Sequence, residues 1–208
     1  MISRYGYDVV GTVLVLSVLG TVLASLFVDV RIVRFGIIAV LVLLLLFTLY
    51  FFRDPDNVEA VKGFNVERYL GAWYEIARLD HSFERGLNNV SATYTLRKGG
   101  GIKVLNKGYD KKRGKWKQAE GKAYFVAGPD VGRLKVSFFG PFYGGYNIID
   151  LDKKDYSYSL VCGPNLSYLW ILARDKKLKG ETLSKLINEA KNLGFETDKL
   201  IFVEQIDP

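Results

Sequence analysis

The chain has 208 residues, 49% of them apolar and 14% aromatic, enough to bury a sizeable core, and it carries a formal charge of +7. It holds one cysteine, Cys162, and one histidine, His81, which excludes an internal disulfide and any metal site built from a His/Cys cluster. Up to Val58 four Arg balance four Asp, so the whole positive excess belongs to the remainder, where it favours anionic headgroups or a solvated basic surface.

Residues 9–28 form an uncharged run of the length a helix needs to cross a bilayer. Ser17, Thr21 and Ser25 fall four apart beside Gly20, the small-residue spacing that lets helices approach closely in lipid. Asp29-Val30-Arg31 is a polar break, and a second apolar run covers 35–52. It ends in Phe47, Tyr50, Phe51 and Phe52 before Arg53, as an interfacial aromatic belt would. Two long runs without a small-residue cleavage site exclude a signal peptide. A two-helix transmembrane hairpin is expected over 1–53, then a polar linker over 54–63. Phe51-Phe52-Arg53-Asp54-Pro55 resembles the membrane anchor that begins the bacterial phosphatidylserine decarboxylases. That resemblance implies an anchor and not the activity, because the self-cleaving Gly-Ser bond has no counterpart in a chain with no Gly-Ser pair.

A helix-like turn over 66–70 runs into Gly71, where the backbone can bend sharply, and a strand begins at Trp73. Val90, Ala92, Tyr94 and Leu96 then alternate with Ser91, Thr93 and Thr95, a period of two. Further strands are expected over 102–109, 116–126, 134–138, 146–151, 156–162 and 167–173. Turn signals such as Gly99-Gly100-Gly101, Gly128-Pro129-Asp130, Gly140-Pro141 and Gly163-Pro164-Asn165 divide them. Leu183, Leu186, Ile187 and Ala190 fall at helical spacing over 181–193, with Thr182 as a cap and Gly194 as a stop, and a short strand covers 200–203. The spacing reads as an antiparallel sandwich or barrel. With the helix it fits an all-β, eight-stranded up-and-down barrel with one C-terminal α-helix, placed over 64–208 after the hairpin.

These residues resemble the lipocalins, and in particular the bacterial lipocalins of the outer-membrane lipoprotein type, over 64–205. The resemblance rests on Gly71-Ala72-Trp73-Tyr74-Glu75-Ile76-Ala77-Arg78, the family's first signature, and Tyr168-Leu169-Trp170-Ile171-Leu172-Ala173-Arg174, its third. Phe83-Glu84-Arg85-Gly86-Leu87, Glu120-Gly121-Lys122-Ala123-Tyr124-Phe125 and Lys135-Val136-Ser137-Phe138-Phe139-Gly140-Pro141-Phe142-Tyr143 point to the bacterial branch. The second signature is blurred to Asp150-Leu151-Asp152, and the apolar hairpin stands in place of the branch's lipidated cysteine. The resemblance implies that Arg174 lies across Trp73 and closes the barrel base together with Gly71, a structural role.

In a barrel of about eight strands, modest inward side chains leave room for one small ligand. The inward set inferred is Val90, Ala92 and Tyr94; Val104 and Asn106; Gly121 and Ala123; Val136 and Phe138; Tyr146 and Ile148; and Tyr168 and Trp170. Alternation alone leaves a ligand cavity and a self-filled barrel equally open, and the resemblance favours the cavity. The segment joining the first two strands should cover the mouth, with Phe83 and Leu87 shielding a ligand and Arg85 meeting a phosphate. His81 is expected in a solvated loop and Cys162 as a small buried hydrophobe. Lys111, Lys112, Arg113, Lys115 and Lys117 form a basic turn.

The function expected is a membrane-anchored lipocalin that binds or carries an apolar ligand, a fatty acid or lysophospholipid, in membrane lipid maintenance. No catalytic residue, metal or cofactor is expected, and no nucleic-acid partner; association as a homodimer stays open. The placement expected is a multi-pass protein of the bacterial inner membrane with a periplasmic barrel, the outer membrane being the alternative that the resemblance offers. The competing functions are a lipid-metabolism enzyme linked to the decarboxylase-like start, and a structural membrane protein with a filled barrel.

Overall fold

The structure, a computed structural model, describes residues 30–52 and 58–205. The chain divides into two compact units between Tyr50 and Phe51. In the first, one helix, α1, runs Val30–Phe52 for 23 residues. It is apolar around its whole circumference, so no side is set aside for a soluble core. Val30 and Arg31 are already helical, so the expected break at Asp29-Val30-Arg31 does not delay the helix to residue 35. Side chains are described over 32–46, all exposed. Over the described residues no helix is long and apolar enough to cross a membrane. The first expected span, 9–28, lies outside the described residues, so the two-helix hairpin is not shown.

The second unit starts with a short helix, α2 (Val66–Tyr69), capped by Asn65, whose side chain accepts from the Arg68 amide. Eight strands follow: β1 (Gly71–Arg78), β2 (Leu87–Leu96), β3 (Ile102–Asp110), β4 (Lys115–Phe125), β5 (Arg133–Phe139), β6 (Phe142–Leu151), β7 (Tyr158–Cys162) and β8 (Leu169–Ala173). Helix α3 (Gly180–Asn192) and the two-residue β9 (Ile201–Phe202) end the fold. Each strand pairs antiparallel with the next, β8 pairs with β1 and β1 with β2, so the sheet closes into an eight-stranded barrel. β1 divides its second edge. Gly71 to Tyr74 pair with β2, whereas Ala77 and Arg78 pair with β9.

The period-two pattern sorts side chains into two cores. Trp73, Tyr94, Val104, Ala123, Leu134, Ile148, Val161 and Leu172 pack inside the barrel. Ile76, Leu160, Cys162, Leu169, Ile171 and Ala173 face outward and pack with Leu186 and Ala190 of α3. Cys162 is thus a buried small hydrophobe under the helix. Apart from the buried Ser159, whose hydroxyl lies 3.4 Å from that of Tyr69, both the interior and the helix-facing sides of β7 and β8 are apolar, which is why these strands read as near-continuous hydrophobic runs.

Several boundaries differ from expectation; β6 begins at Phe142 and not at residue 146. Tyr156 is not in a strand. It takes φ 55 in a turn organised by Asp152, whose carboxylate accepts from the Lys154, Asp155 and Ser157 amides, and such local bonds out-compete the ladder. Ser167 and Tyr168 likewise precede β8, in a turn where Asn165 accepts from the Ser167 amide. Helix α3 begins at Gly180, so Thr182 lies inside it, and Lys179 at the cap position makes no side-chain bond.

Candidate ligand-binding site

Because the strands alternate in direction, the connections after β1, β3, β5 and β7 gather at one end of the barrel. The start of β1, with Trp73, lies at the other. That base is shut. Trp73 is fully buried and its Nε1 donates to the Tyr69 carbonyl at 2.8 Å. Arg174 lies over the Trp73 ring at 4.0 Å and donates to the carbonyls of Ala72 (2.8 Å) and Arg68 (2.7 Å), tying β1, α2 and β8 together. Gly71 takes φ +93, and a Cβ there would sit 3.4 Å from Arg174 Nη1, so the bend leaves room for the guanidinium.

Above the base the interior is stratified. Tyr94, Val104, Ala123 and Ile148 are buried with Trp73 in a packed floor. Tyr146 links the hydroxyls of Tyr69 and Tyr94, 2.8 Å from each, so these phenols bond to one another rather than standing free. Burial holds them protonated, pushing Tyr69 up to about 12. Ala92, which pairs with Trp73, and Val136, Phe138, Tyr146 and Trp170 pack against the same inner core yet keep partial solvent exposure. Asn106 projects inward from β3 with its Oδ1 buried and unpartnered among the described groups. Gly121 is where Phe138 folds inward: a Cβ at 121 would come within 2.9 Å of the ring. Val90 and Leu87 are buried at the upper end of β2 and pack over Gly108.

The β1–β2 segment covers this opening, and its interior is polar in a way that alternation alone did not reveal. A register shift at Ile76 turns Arg78 to the same side as Glu75, and the two form a buried ion pair. Arg78 also donates to the Glu84 carbonyl at 2.9 Å, and Trp170 Nε1 donates to the Glu84 carboxylate at 3.0 Å. Burial, followed by the Glu84 charge, pushes Glu75 up to about 8 against the pull of Arg78, and burial raises Glu84 as well. His81 is not solvated. It is buried, stacked on Tyr168 at 4.8 Å and on Phe83 at 5.3 Å, with Trp170 at 4.7 Å, because Leu79 and the Arg78 bonds draw the segment onto the wall. Burial and the Arg78 charge hold its imidazole down to about 4, so it is neutral. Phe83 itself is 61% exposed, and Arg85 pairs with Asp80 at 2.6 Å on the outside. Tyr168 therefore belongs to the covering aromatic stack rather than to a strand wall. Asp110, at the end of β3, takes Lys117 (2.8 Å) and Arg113 (3.1 Å), with the Lys117 bond first in holding its carboxyl down to about 2.

A family model described as a lipocalin-like domain matches residues 64–205, the whole barrel with its helix. The chain belongs to this lipocalin family. Among its relatives, the Outer membrane lipoprotein Blc of Vibrio cholerae is 55% identical over 151 residues, covering 73% of this chain and 88% of that one. Temperature-induced lipocalin-1 of Arabidopsis thaliana is 39% identical, covering 74% and 86%. Insecticyanin from the tobacco hornworm Manduca sexta shares the fold, with a TM-score of 0.59 at 21% identity over 73% of this chain and 86% of that one. The family match starts at residue 64, so the likeness of the first 55 residues to decarboxylase anchors gains no support from it.

Within this lipocalin barrel, sequence reasoning gave no role to Glu75, Arg78 and Glu84, and it placed His81 in a solvated loop. Glu75 had a signal, since it lies two residues beyond Trp73 and so on the inward side. Arg78 had none, because only the bulge at Ile76 turns it inward. Among the described residues no group of three or more His, Cys, Asp or Glu is placed to hold a metal ion.

Proposed function

We propose that this lipocalin holds a monoacyl lipid, a fatty acid or lysophospholipid, in its calyx and works at a membrane in lipid maintenance as a binding protein rather than an enzyme. One observation carries the reading. Inward-facing Ala92, Val136, Phe138, Tyr146 and Trp170 stay partly exposed, which supports an apolar, solvent-reached space within the barrel below the Glu84–Trp170 tie. A buried acyl chain gains about 0.8 kcal/mol per CH₂, so a long chain outweighs the cost of ordering it. Val90, Val104, Gly121, Ala123 and Ile148 complete the wall and floor beneath it, and Phe83, Arg85 and Leu87 belong to the cover. The apolar runs over 9–28 and 35–52 support an anchor spanning the membrane twice, with domains at 1–53, 54–63 and 64–208. An inner-membrane placement with the barrel in the periplasm fits that anchor. The relatives named outer membrane lipoprotein favour membrane association by another route.

Native mass spectrometry of the full chain, released from mild detergent, tests this. Lipid should leave with the wild-type protein and be lost in Ala92→Trp and Phe138→Glu, both of which alter the calyx. A folded wild-type protein that carries no lipid and accepts none on titration would overturn the proposal.

A further inference from the structure

The mouth end carries exposed aromatics beside a rim of positive charge. The β5–β6 hairpin tip is Phe139-Gly140-Pro141-Phe142, and its phenylalanines are 82% and 70% exposed, where large apolar side chains have no solvent-facing reason to be. Lys111, Lys112, Arg113 and Lys115, in and just after the turn that follows β3, are all exposed at the same end. Asp110 takes Arg113 and Lys117, and Glu204 lies 3.6 Å from Lys111, so these two carboxylates leave the rim strongly positive. The outer face of β3 to β6 carries like pairs, of which Lys122 and Lys135 lie in the base half of their strands. Lys107 sits over the Trp116 ring at 4.2 Å, and Lys135 and Lys122 sit over the Tyr143 ring at 5.1 and 5.9 Å. Aromatic side chains interleaved with lysines are suited to a headgroup layer, where rings enter the interface and ammonium groups meet phosphates.

We infer that the mouth end docks on an anionic phospholipid surface, with Phe139 and Phe142 entering the headgroup layer and the basic 111–115 turn held against phosphates. The docked surface lies outside the calyx, so it does not depend on what the calyx holds. It does set the mouth against the layer from which a monoacyl lipid would come.

A polarity-sensitive fluorophore on Phe142→Cys reads the contact; Cys162 is buried and does not compete for the label. The full chain is reconstituted in phosphatidylcholine nanodiscs, in phosphatidylglycerol nanodiscs, and in phosphatidylcholine nanodiscs mixed with separate phosphatidylglycerol vesicles. A blue shift is expected wherever phosphatidylglycerol is supplied, with quenching by its brominated form. No shift is expected in phosphatidylcholine alone, or from a Gly99→Cys probe at the base. Each basic residue at an anionic surface is worth about fivefold in partition. Lys111→Glu/Lys112→Glu/Lys115→Glu should therefore weaken docking by at least roughly a hundredfold. Near-UV circular dichroism checks that the variant keeps its fold. A probe that stays in water in every arm would overturn the inference. So would a shift that follows protein concentration without anionic lipid, since a second copy would then be covering the tip. Lipid retained in these variants by mass spectrometry separates failure of docking from failure of the ligand reading.

Discussion

The Trp170 indole donates to the Glu84 carboxylate at 3.0 Å, joining the segment over the mouth to the inner wall of β8. Replacing Trp170 by Phe keeps an aromatic body and removes the donor, leaving a buried carboxylate short of one bond. Losing such a partner costs about 1–3 kcal/mol, so the closed cover should loosen and ligand release quicken by roughly tenfold. Stopped-flow displacement of a fluorescent fatty acid measures this, and an unchanged release rate would show that the tie does not hold the cover.

Arg174→Lys keeps the charge at the base and loses the flat contact with Trp73 and the forked bonds to Ala72 and Arg68. The contact is worth about 0.5–2 kcal/mol, with the lost carbonyl bonds in addition. The expected result is a melting temperature lower by several degrees with ligand affinity nearly unchanged, read by thermal denaturation and titration of the same sample. A weakened affinity at unchanged stability would move Arg174 from the scaffold into the site.

Acid and alkali should each destabilise the fold through a different buried group. Glu75 is raised from 4.5 to about 8 by burial, so the folded chain keeps a proton that the unfolded chain releases near 4.5. Its contribution is full below pH 4.5 and is lost as pH rises toward 8. His81 is lowered from 6.5 to about 4 by burial, so the folded chain refuses a proton that the unfolded chain takes. That contribution is present above pH 6.5 and is lost as pH falls toward 4. Glu75→Gln should flatten the alkaline side of a stability–pH curve, and His81→Phe the acidic side. Either variant leaving its side of the curve unchanged would show that the group does not titrate as argued.

Gly121→Ala adds one methyl where Phe138 and the Ser137 carbonyl each stand 2.9 Å from the new carbon. Backbone cannot yield as a flexible side chain does, so an overpacking cost of about 1–3 kcal/mol is expected. At about 2–4 °C per kcal/mol for a chain of this size, the melting temperature should fall by several degrees. Phe138→Ala in the same chain should restore part of the loss, because it frees the ring's share of the space. Additive effects in the double variant would mean that the ring is not the obstacle.

The barrel was legible because period-two runs and Gly/Pro turns recur from Val90 to Ala173, and the outer helix because Leu186 and Ala190 repeat at its period. Local polar chemistry hid the rest. Tyr156 lies in an apolar-looking run, yet Asp152 gathers the backbone into a turn around it. Tyr168 fits a strand by pattern but stacks on His81 from a loop. His81 reads as a loop residue, and only the three-dimensional meeting of Phe83, Tyr168 and Trp170 buries it. A bulge shifts a strand's facing by one residue without any mark in composition, and Arg78 enters the interior through such a shift.

The wall between β1 and β2 is a short join. Only Gly71 to Tyr74 meet β2 directly. Beyond them, Ala77 and Arg78 lean on β9, the Asn89 amide reaches the Glu204 carbonyl at 2.8 Å, and the Gln205 amide spans the Glu75 and Val90 carbonyls at 2.8 and 2.9 Å. Four pairs also join β4 to β5, β6 to β7 and β1 to β8, but along this line side chains and the segment around β9 carry the rest of the join. The Gln205 bonds tie the two strands where they no longer pair, beside the long ladders that join β2, β3 and β4. The segment around Gln205 therefore acts as a clasp across the barrel wall.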